Sequence, residues 1–271
     1  MRIPKAWWPA LAATMVACES GAAPQMSRVS VRLTDAPAPA LASAQVWISK
    51  VYLVGQDGTS RFTITETPAE YDLLTLQNGV TALLGDQLIP AGDYESLRLI
   101  VDSARVTLEA PTTFTNGTDT ATMKVPSGPQ TGLKVVFGGP VPIAPGQTDL
   151  VVDFDVLRSF VFLGPPPMPS GVLFTPVLHG VVTDQAGSIA GTSSPAEANG
   201  VVVATINSGA DTIGTTIADP STGAYAILFL PPLTYDVSDS ATATGFSPTP
   251  QHQAVTLAQG EHKTEVGFTL P

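Results

Sequence analysis

The chain has 271 residues and a net charge of −11, with 44% hydrophobic but only 13% charged residues. We do not expect so acidic a chain to bind nucleic acid, because lysine and arginine side chains must replace the counterions of the phosphates. Its 24 glycines and 25 prolines indicate many short strands joined by tight turns, and its length is sufficient for two domains with separate cores.

Residues 1–17 have the layout of a secretory signal peptide. Arg2 and Lys5 precede an uncharged apolar run that continues to Ala17, as in the charged and hydrophobic regions of such signals. The run is too short to cross about 30 Å of hydrocarbon as a helix. It therefore predicts export and not a membrane-spanning anchor.

The residues at the end of this run resemble a lipobox, the motif at which bacterial lipoproteins are cleaved and lipidated. They are Met15-Val16-Ala17-Cys18, and Cys18 is the single cysteine of the sequence. We predict that Cys18 carries the lipid that holds the protein to a membrane of the bacterial cell envelope, facing the periplasm or the exterior. Residues 18–27 would then form a flexible tether. The alternative is an ordinary secretory signal with a cysteine near its cleavage site.

From Arg28 onward, apolar and polar residues alternate as they do in half-buried strands. Val29, Val31 and Leu33 begin this pattern. Helical periodicity is nearly absent, and residues 78–84 are the one candidate for a helix. We predict an all-β protein of two β-sandwich domains, prealbumin-like or immunoglobulin-like, with at most one short helix near residues 78–84.

Several segments of residues 28–179 resemble, in sequence order, the bacterial domain-of-unknown-function family 4382. The matching segments are Leu33-Thr34-Asp35-Ala36-Pro37, Asp72-Leu73-Leu74-Thr75-Leu76, Ile89-Pro90-Ala91-Gly92-Asp93-Tyr94, Val125-Pro126-Ser127-Gly128-Pro129, and Val152-Asp153-Phe154-Asp155. The resemblance implies an exported β domain, often found in lipoproteins, to which no activity is assigned.

Residues 180–271 resemble the carboxypeptidase-regulatory-like and prealbumin-like sandwich modules. The segments that carry this likeness are Gly187-Ser188-Ile189-Ala190-Gly191, Thr222-Gly223-Ala224-Tyr225, Leu230-Pro231-Pro232-Leu233-Thr234-Tyr235, and Phe268-Thr269-Leu270. The resemblance implies a second β-sandwich, and it allows a carbohydrate-binding function.

A spacing is repeated in the two halves of the chain. Pro90 precedes Tyr94 by the same interval as Pro231 precedes Tyr235, and Phe154 and Phe268 follow Gly146 and Gly260 at equal distances. These repeats suggest that both halves are sandwiches of one general topology. The alternative is that a common turn followed by a strand arose twice.

The motifs of common catalytic sites are missing from the sequence. The three histidines, His179, His252 and His262, are not spaced as metal ligands, and neither a Gly-x-Ser-x-Gly elbow nor a nucleotide-binding glycine loop is present. We therefore predict a protein that is not an enzyme and has no cofactor. A carboxylate-based enzyme is the alternative that the residues leave open.

Three acids close to the end of one predicted strand form a possible calcium site. Alternation places Asp149, Asp153 and Asp155 on the face opposite Leu150, Val152 and Phe154. Carboxylate oxygens are the ligands that Ca²⁺ prefers. The other interpretation is a solvated acidic face paired with lysine or arginine from a neighbouring strand.

Trp47 is the one tryptophan left after removal of residues 1–17, and it falls out of phase with Val46 and Ile48. An exposed indole could stack against a sugar ring and so bind a glycan. The sequence thus predicts a non-catalytic envelope lipoprotein that is a structural or binding module. Its expected partners are the membrane, through the lipid, and a glycan or another envelope protein.

Overall fold

The computed structural model describes residues 24–35, 41–125, 131–165 and 167–271. The predicted signal peptide and Cys18 lie outside the described residues. Two separate hydrophobic cores organise the rest, one built from residues between Val29 and Val182 and the other from residues between Ile189 and Phe268. The all-β class with two sandwich domains is confirmed.

The first domain contains two main sheets and a two-stranded hairpin. Its strands are β1 (Met26–Thr34), β2 (Leu41–Gly55), β3 (Arg61–Thr65), β4 (Ala69–Asp72), β5 (Ala82–Pro90), β6 (Gly92–Leu108), β7 (Thr120–Lys124), β8 (Leu133–Val135), β9 (Val141–Ile143), β10 (Gly146–Phe154), β11 (Phe160–Leu163), β12 (Gly171–Phe174) and β13 (Leu178–Val182). One sheet has the order β13-β10-β1-β5, and the other has the order β3-β2-β6-β7 with β4 on β2 and with β8 and β9 on β6. Strands β11 and β12 pair only with each other among the described residues.

The second domain repeats this plan with shorter strands. They are β14 (Gly187–Ser194), β15 (Gly200–Ile206), β16 (Asp211–Ile217), β17 (Ala224–Leu230), β18 (Thr234–Ala241), β19 (Gln251–Thr256), β20 (His262–Lys263) and β21 (Phe268–Thr269). One sheet has the order β17-β14-β20 with β21 also on β14, and the other has the order β16-β15-β18-β19.

The predicted position of the helix is wrong. Residues 82–84 begin β5, which pairs with β1 along its length, so pairing between distant segments overrides the weak local periodicity. Asn78 has a φ of 57°, which a helix does not accept. The helical turns lie elsewhere: α1 (Val156–Ser159) is α-helical, and 3-10 turns occupy Leu73–Leu76, Thr183–Gln185, Ala196–Ala198 and Asn207–Gly209.

The strand order shows that both halves share one topology. In each half the first strand, β1 or β14, pairs in parallel with a later strand, β10 or β21, and these later strands contain Phe154 and Phe268. Each first strand also pairs antiparallel with the strand before the Pro-Tyr turn, β5 or β17. The repeated spacing in the sequence therefore reflects equivalent positions in the two sandwiches.

The two Pro-Tyr turns are equivalent in atomic detail. The hydroxyl of Tyr94 donates to the carbonyl oxygen of Pro90 at 2.6 Å, and the hydroxyl of Tyr235 donates to that of Pro231 at 2.6 Å. Each tyrosine also lies opposite a valine, Val141 or Val255, on the next strand. A buried phenol needs a hydrogen-bond partner, and the nearby carbonyl supplies one in both domains.

Both predicted boundaries of the first domain shift by a few residues. Met26 and Ser27, expected in the tether, belong to β1, and Ser27 is fully buried. At the other end, β13 continues across the boundary predicted between residues 179 and 180 and ends at Val182. The turn Thr183–Gln185 and Ala186 then connect the domains, so the junction is too short to act as a long linker.

Candidate functional site

The most unusual polar cluster among the described residues lies where the first domain meets the second. It begins at α1, which follows β10 directly. The Asp155 carboxylate accepts a hydrogen bond from the backbone N–H of Arg158 at 3.0 Å, and Asp35 Oδ1 accepts one from the N–H of Val156 at 3.2 Å. Two buried carboxylates therefore cap the amino-terminal turn of this short helix.

Asp153 and His179 occupy opposing positions on β10 and β13, so their side chains share one face of the sheet. Val151 and Val181, the next opposing pair on this face, are buried at 2% and 4% exposure. The face is therefore covered and not solvated. Asp153 as a whole is only half-buried, yet its Oδ1 is shut off from solvent.

Residues of both domains enclose a small cavity beside Asp153. Its volume is about 30 Å³, which is room for one or two water molecules. The first domain contributes Thr34, Asp35, Asn78, Gly79 and Asp153, and the second contributes Gly214, Thr215 and Ala226 to Phe229. Asp153 Oδ1 has no hydrogen-bond partner among the described residues, and the backbone of Thr212 lies close enough to the His179 ring to act on it.

The electrostatics of this junction favour neutral groups. Burial raises the pKa of Asp153 to about 8, and the neighbouring charge of Asp155 adds to this effect. Burial lowers the pKa of His179 to about 4, and the positive charge of Arg158 acts in the same direction. Near pH 7 the carboxyl therefore keeps its proton and the imidazole is uncharged, which avoids the cost of burying a charge.

One direct hydrogen bond also crosses the junction. The Nη1 of Arg158 donates to the carbonyl oxygen of Thr212 at 3.3 Å. The Asp211 carboxylate, next to this carbonyl, opposes the lowering of the His179 pKa. Side chains of α1, β10 and β13 thus face the start of β16, so the two domains meet through a polar contact as well as through apolar ones.

The structure does not gather the three acids of the predicted calcium site. Asp149 is half-buried and accepts a hydrogen bond from Gln147 Nε2 at 2.9 Å, Asp153 faces the cavity, and Asp155 lies beyond the end of β10 as the cap of α1. No group of three or more acidic, histidine or cysteine side chains in the described residues could hold a metal ion. Asp149 and Asp153 do share the predicted face of β10, but Asp155 does not, because β10 ends at Phe154. Residues of the second domain also cover this face beside Asp153. Calcium binding by the three acids stays a prediction.

Trp47 alternates with the buried Val46 and Ile48 and is half-buried. The guanidinium of Arg105 lies 5.0 Å from the centre of its ring, a cation–π contact that covers part of the indole. A sugar ring would have to displace this arginine to stack there. Glycan binding by Trp47 stays a prediction that this geometry does not favour.

Sequence reasoning placed His179 at the domain junction but missed its pairing with Asp153 and the capping role of Asp35. No local signal could have revealed either one. Asp35 and Val156 are far apart in the sequence, and only the parallel pairing of β1 with β10 brings them together.

The comparisons with known proteins identify the first domain. The family model described as Domain of unknown function (DUF4382) matches residues 26–166. The chain belongs to this family. The match does not reach the second domain, whose resemblance to carboxypeptidase-regulatory-like modules stays a prediction. No curated protein shows significant similarity to the chain.

Several solved structures show weak similarity to this DUF4382 protein. The Bacillus anthracis TIE protein is 10% identical with a TM-score of 0.27, and the alignment covers 91% of this chain but only 34% of that one. The minor pilin GBS52 of Streptococcus agalactiae is 11% identical with a TM-score of 0.27, and the alignment covers 90% of this chain and 95% of that one. The shaft pilin SpaA of Lactobacillus rhamnosus GG is 8% identical with a TM-score of 0.24, over 92% and 97% of the two chains. Similarities this low carry no functional argument.

Proposed function

We propose that the protein is an exported bacterial envelope lipoprotein, held by a lipid on Cys18, whose two β domains form a non-catalytic structural or binding module. The observation that carries the non-catalytic part is the burial of Asp153. This carboxyl has the chemistry of a proton donor or acceptor, since its pKa lies near 8. It faces a cavity of about 30 Å³, which is far smaller than the pockets that hold small-molecule substrates.

The other buried carboxylates of the junction have structural roles. Asp155 and Asp35 each accept a backbone N–H of α1, so neither has the free geometry of a nucleophile or a general base. The carboxyl groups of this cluster thus hold the junction together, and recognition of a partner falls to the outer surfaces of the domains. No helix of the described residues is long and apolar enough to cross a membrane.

The lipid anchor is tested by metabolic labelling with palmitate in a bacterial host. The wild-type chain should incorporate label, whereas a Cys18→Ala chain should incorporate none, because no second cysteine exists to accept the lipid. A Ser20→Ala chain serves as the matched control and should label like the wild type. Equal labelling of the Cys18→Ala and wild-type chains, or no labelling of either, would refute the anchor.

A further inference from the structure

The hairpin formed by β11 and β12 carries an exposed apolar surface. From Phe160 to Phe174 the sequence contains no charged residue, although the chain as a whole has a net charge of −11. The two strands pair from Phe160 and Phe174 at the base to Leu163 and Gly171 at the loop. The hairpin is therefore an uncharged segment of a chain that is acidic overall.

The inner face of the hairpin is anchored in the first core. Phe160 is 3% exposed, its ring centre lies 4.9 Å from that of Phe174, and Phe174 stacks on Phe154 at 6.1 Å. These aromatic contacts fix the hairpin on the body of the domain. The hairpin is thus held in place and does not depend on its outer face for its position.

The outer face exposes aliphatic side chains to solvent. Val161, Leu163 and Leu173 are 43%, 40% and 51% exposed, and Met168 in the connecting loop is 51% exposed. Val161 and Leu173 lie opposite each other on the paired strands, and Leu163 lies on the same face two residues after Val161. These three side chains form one continuous patch beside the loop that contains Met168. A contiguous exposed patch of this kind marks an interaction surface.

The chemistry of the patch fits a lipid surface better than a protein. Protein interfaces surround an apolar centre with polar and charged groups that fix the orientation of the partner, and the hairpin carries no such charges. A bilayer needs none, because its acyl region accepts any apolar side chain and charged ones are costly there.

The position of the hairpin is compatible with contact to the same bilayer that holds Cys18. The hairpin follows the end of β10 that lies beside Thr34, whereas the tether enters at Met26, the other end of β1. Fully extended, the chain from Cys18 to Met26 reaches about 27 Å, and β1 itself spans about the same length. A domain lying with β1 along the membrane can therefore bring both the lipid and the hairpin to one surface.

We propose that the outer face of the β11–β12 hairpin, formed by Val161, Leu163, Met168 and Leu173, inserts into the bilayer to which the protein is anchored. The proposal rests on the lipid anchor of the proposed function. The hairpin would then orient the domain on the membrane, and the lipid would supply the affinity.

The test couples the mature chain, from residue 18 onward, through its single cysteine to maleimide lipid in phosphatidylcholine vesicles that also contain brominated phosphatidylcholine. Chemical coupling makes the result independent of whether cells lipidate Cys18, so the anchor and the hairpin can fail separately. The reporter is Leu173→Trp in a Trp47→Phe background. Leu88→Trp, also in that background, is the matched control, because Leu88 is 56% exposed and lies near the tether end of β1.

Insertion predicts strong quenching by the brominated lipid for Leu173→Trp and little for Leu88→Trp. Adding Leu163→Asp should lower the inserted fraction of the Leu173→Trp protein about tenfold, because a charge then replaces a leucine side chain that would be buried in the bilayer. A Val161→Trp reporter gives a second reading if Leu173→Trp does not fold. Equal quenching at the two ends would mean that both merely lie close to the bilayer, and it would overturn the proposal, as would absence of quenching at both hairpin positions. A concentration-dependent change of Leu173→Trp emission without vesicles would also overturn it, because a second copy would then cover the patch.

Discussion

Replacing Asp153 with asparagine should remove a fall in stability that the wild-type protein shows between about pH 6.5 and pH 8. Burial keeps this carboxyl protonated up to about pH 8 in the folded protein, whereas in the unfolded chain it has its ordinary pKa of 3.8. The stabilisation from the protonated form is therefore complete below pH 3.8, and it is lost as the pH rises through about 8. Asparagine has a similar shape and does not titrate.

His179 determines where this loss becomes visible. Its pKa is about 4 in the folded protein and 6.5 in the unfolded chain, so its contribution is complete above pH 6.5 and is lost as the pH falls to about 4. Between about pH 4 and 6.5 the two groups have opposite slopes that cancel. From pH 6.5 to 8 only Asp153 makes the free energy of unfolding depend on pH, because the folded protein binds one proton more than the unfolded chain. Over that interval the free energy of unfolding should fall by about 2 kcal/mol.

The assay is urea denaturation of the mature chain at several pH values between 5 and 9, followed by the fluorescence of Trp47, which reports on the first domain. The free energy of unfolding of the Asp153→Asn protein should stay constant from pH 6.5 to 8. That of the Asp149→Asn protein, which has the same substitution on the same strand but outside the cavity, should fall as it does in the wild type. A constant free energy of unfolding in the wild type, or an equally steep fall in Asp153→Asn, would refute the assignment of a buried protonated carboxyl.

Four further substitutions and one control test the packing of the fold. Tyr94→Phe and Tyr235→Phe should each lower the free energy of unfolding of their own domain by about 1 kcal/mol, since each removes one buried hydrogen bond, and the double variant should show additive losses in calorimetry. Gly191→Ala should prevent the second domain from folding, because the added Cβ would lie 1.7 Å from the Val266 carbonyl oxygen. Gly139→Ala is the control and should leave the circular dichroism spectrum unchanged, because its Cβ would have no atom within 4 Å. Asp155→Ala should lower the free energy of unfolding by about 1–2 kcal/mol, because α1 loses its amino-terminal cap. Wild-type stability of this variant in denaturant would contradict the capping role.

Much of the fold could be predicted from local patterns in the sequence. The alternation of Val29, Val31 and Leu33 predicted the first strand, because one face of that strand packs on the core. The Pro-Tyr spacing predicted the shared topology, because a turn with a tyrosine-to-carbonyl hydrogen bond places the next strand in the same way in both domains. These features depend on neighbours within a few residues, which a sequence displays directly.

The functional features were harder to predict, because they depend on what covers each face. Alternation placed Asp149 and Asp153 correctly on the side of β10 opposite Leu150, but it could not show that the second domain packs over that side. The local helical preference of residues 78–84 was too weak to compete with the pairing of β5 with β1. In each case a contact between distant segments changed the environment of a residue whose local pattern had been interpreted in isolation.

Export of the chain and its anchoring through Cys18 can be tested by intact mass spectrometry of the protein purified from bacterial membranes. We expect the mass of residues 18–271 increased by a diacylglyceryl group on Cys18, with or without a further acyl chain on its amino group. An unmodified mass that begins at residue 18 or at another cleavage site would contradict the anchor. The mass of the whole chain from Met1 would contradict processing as well.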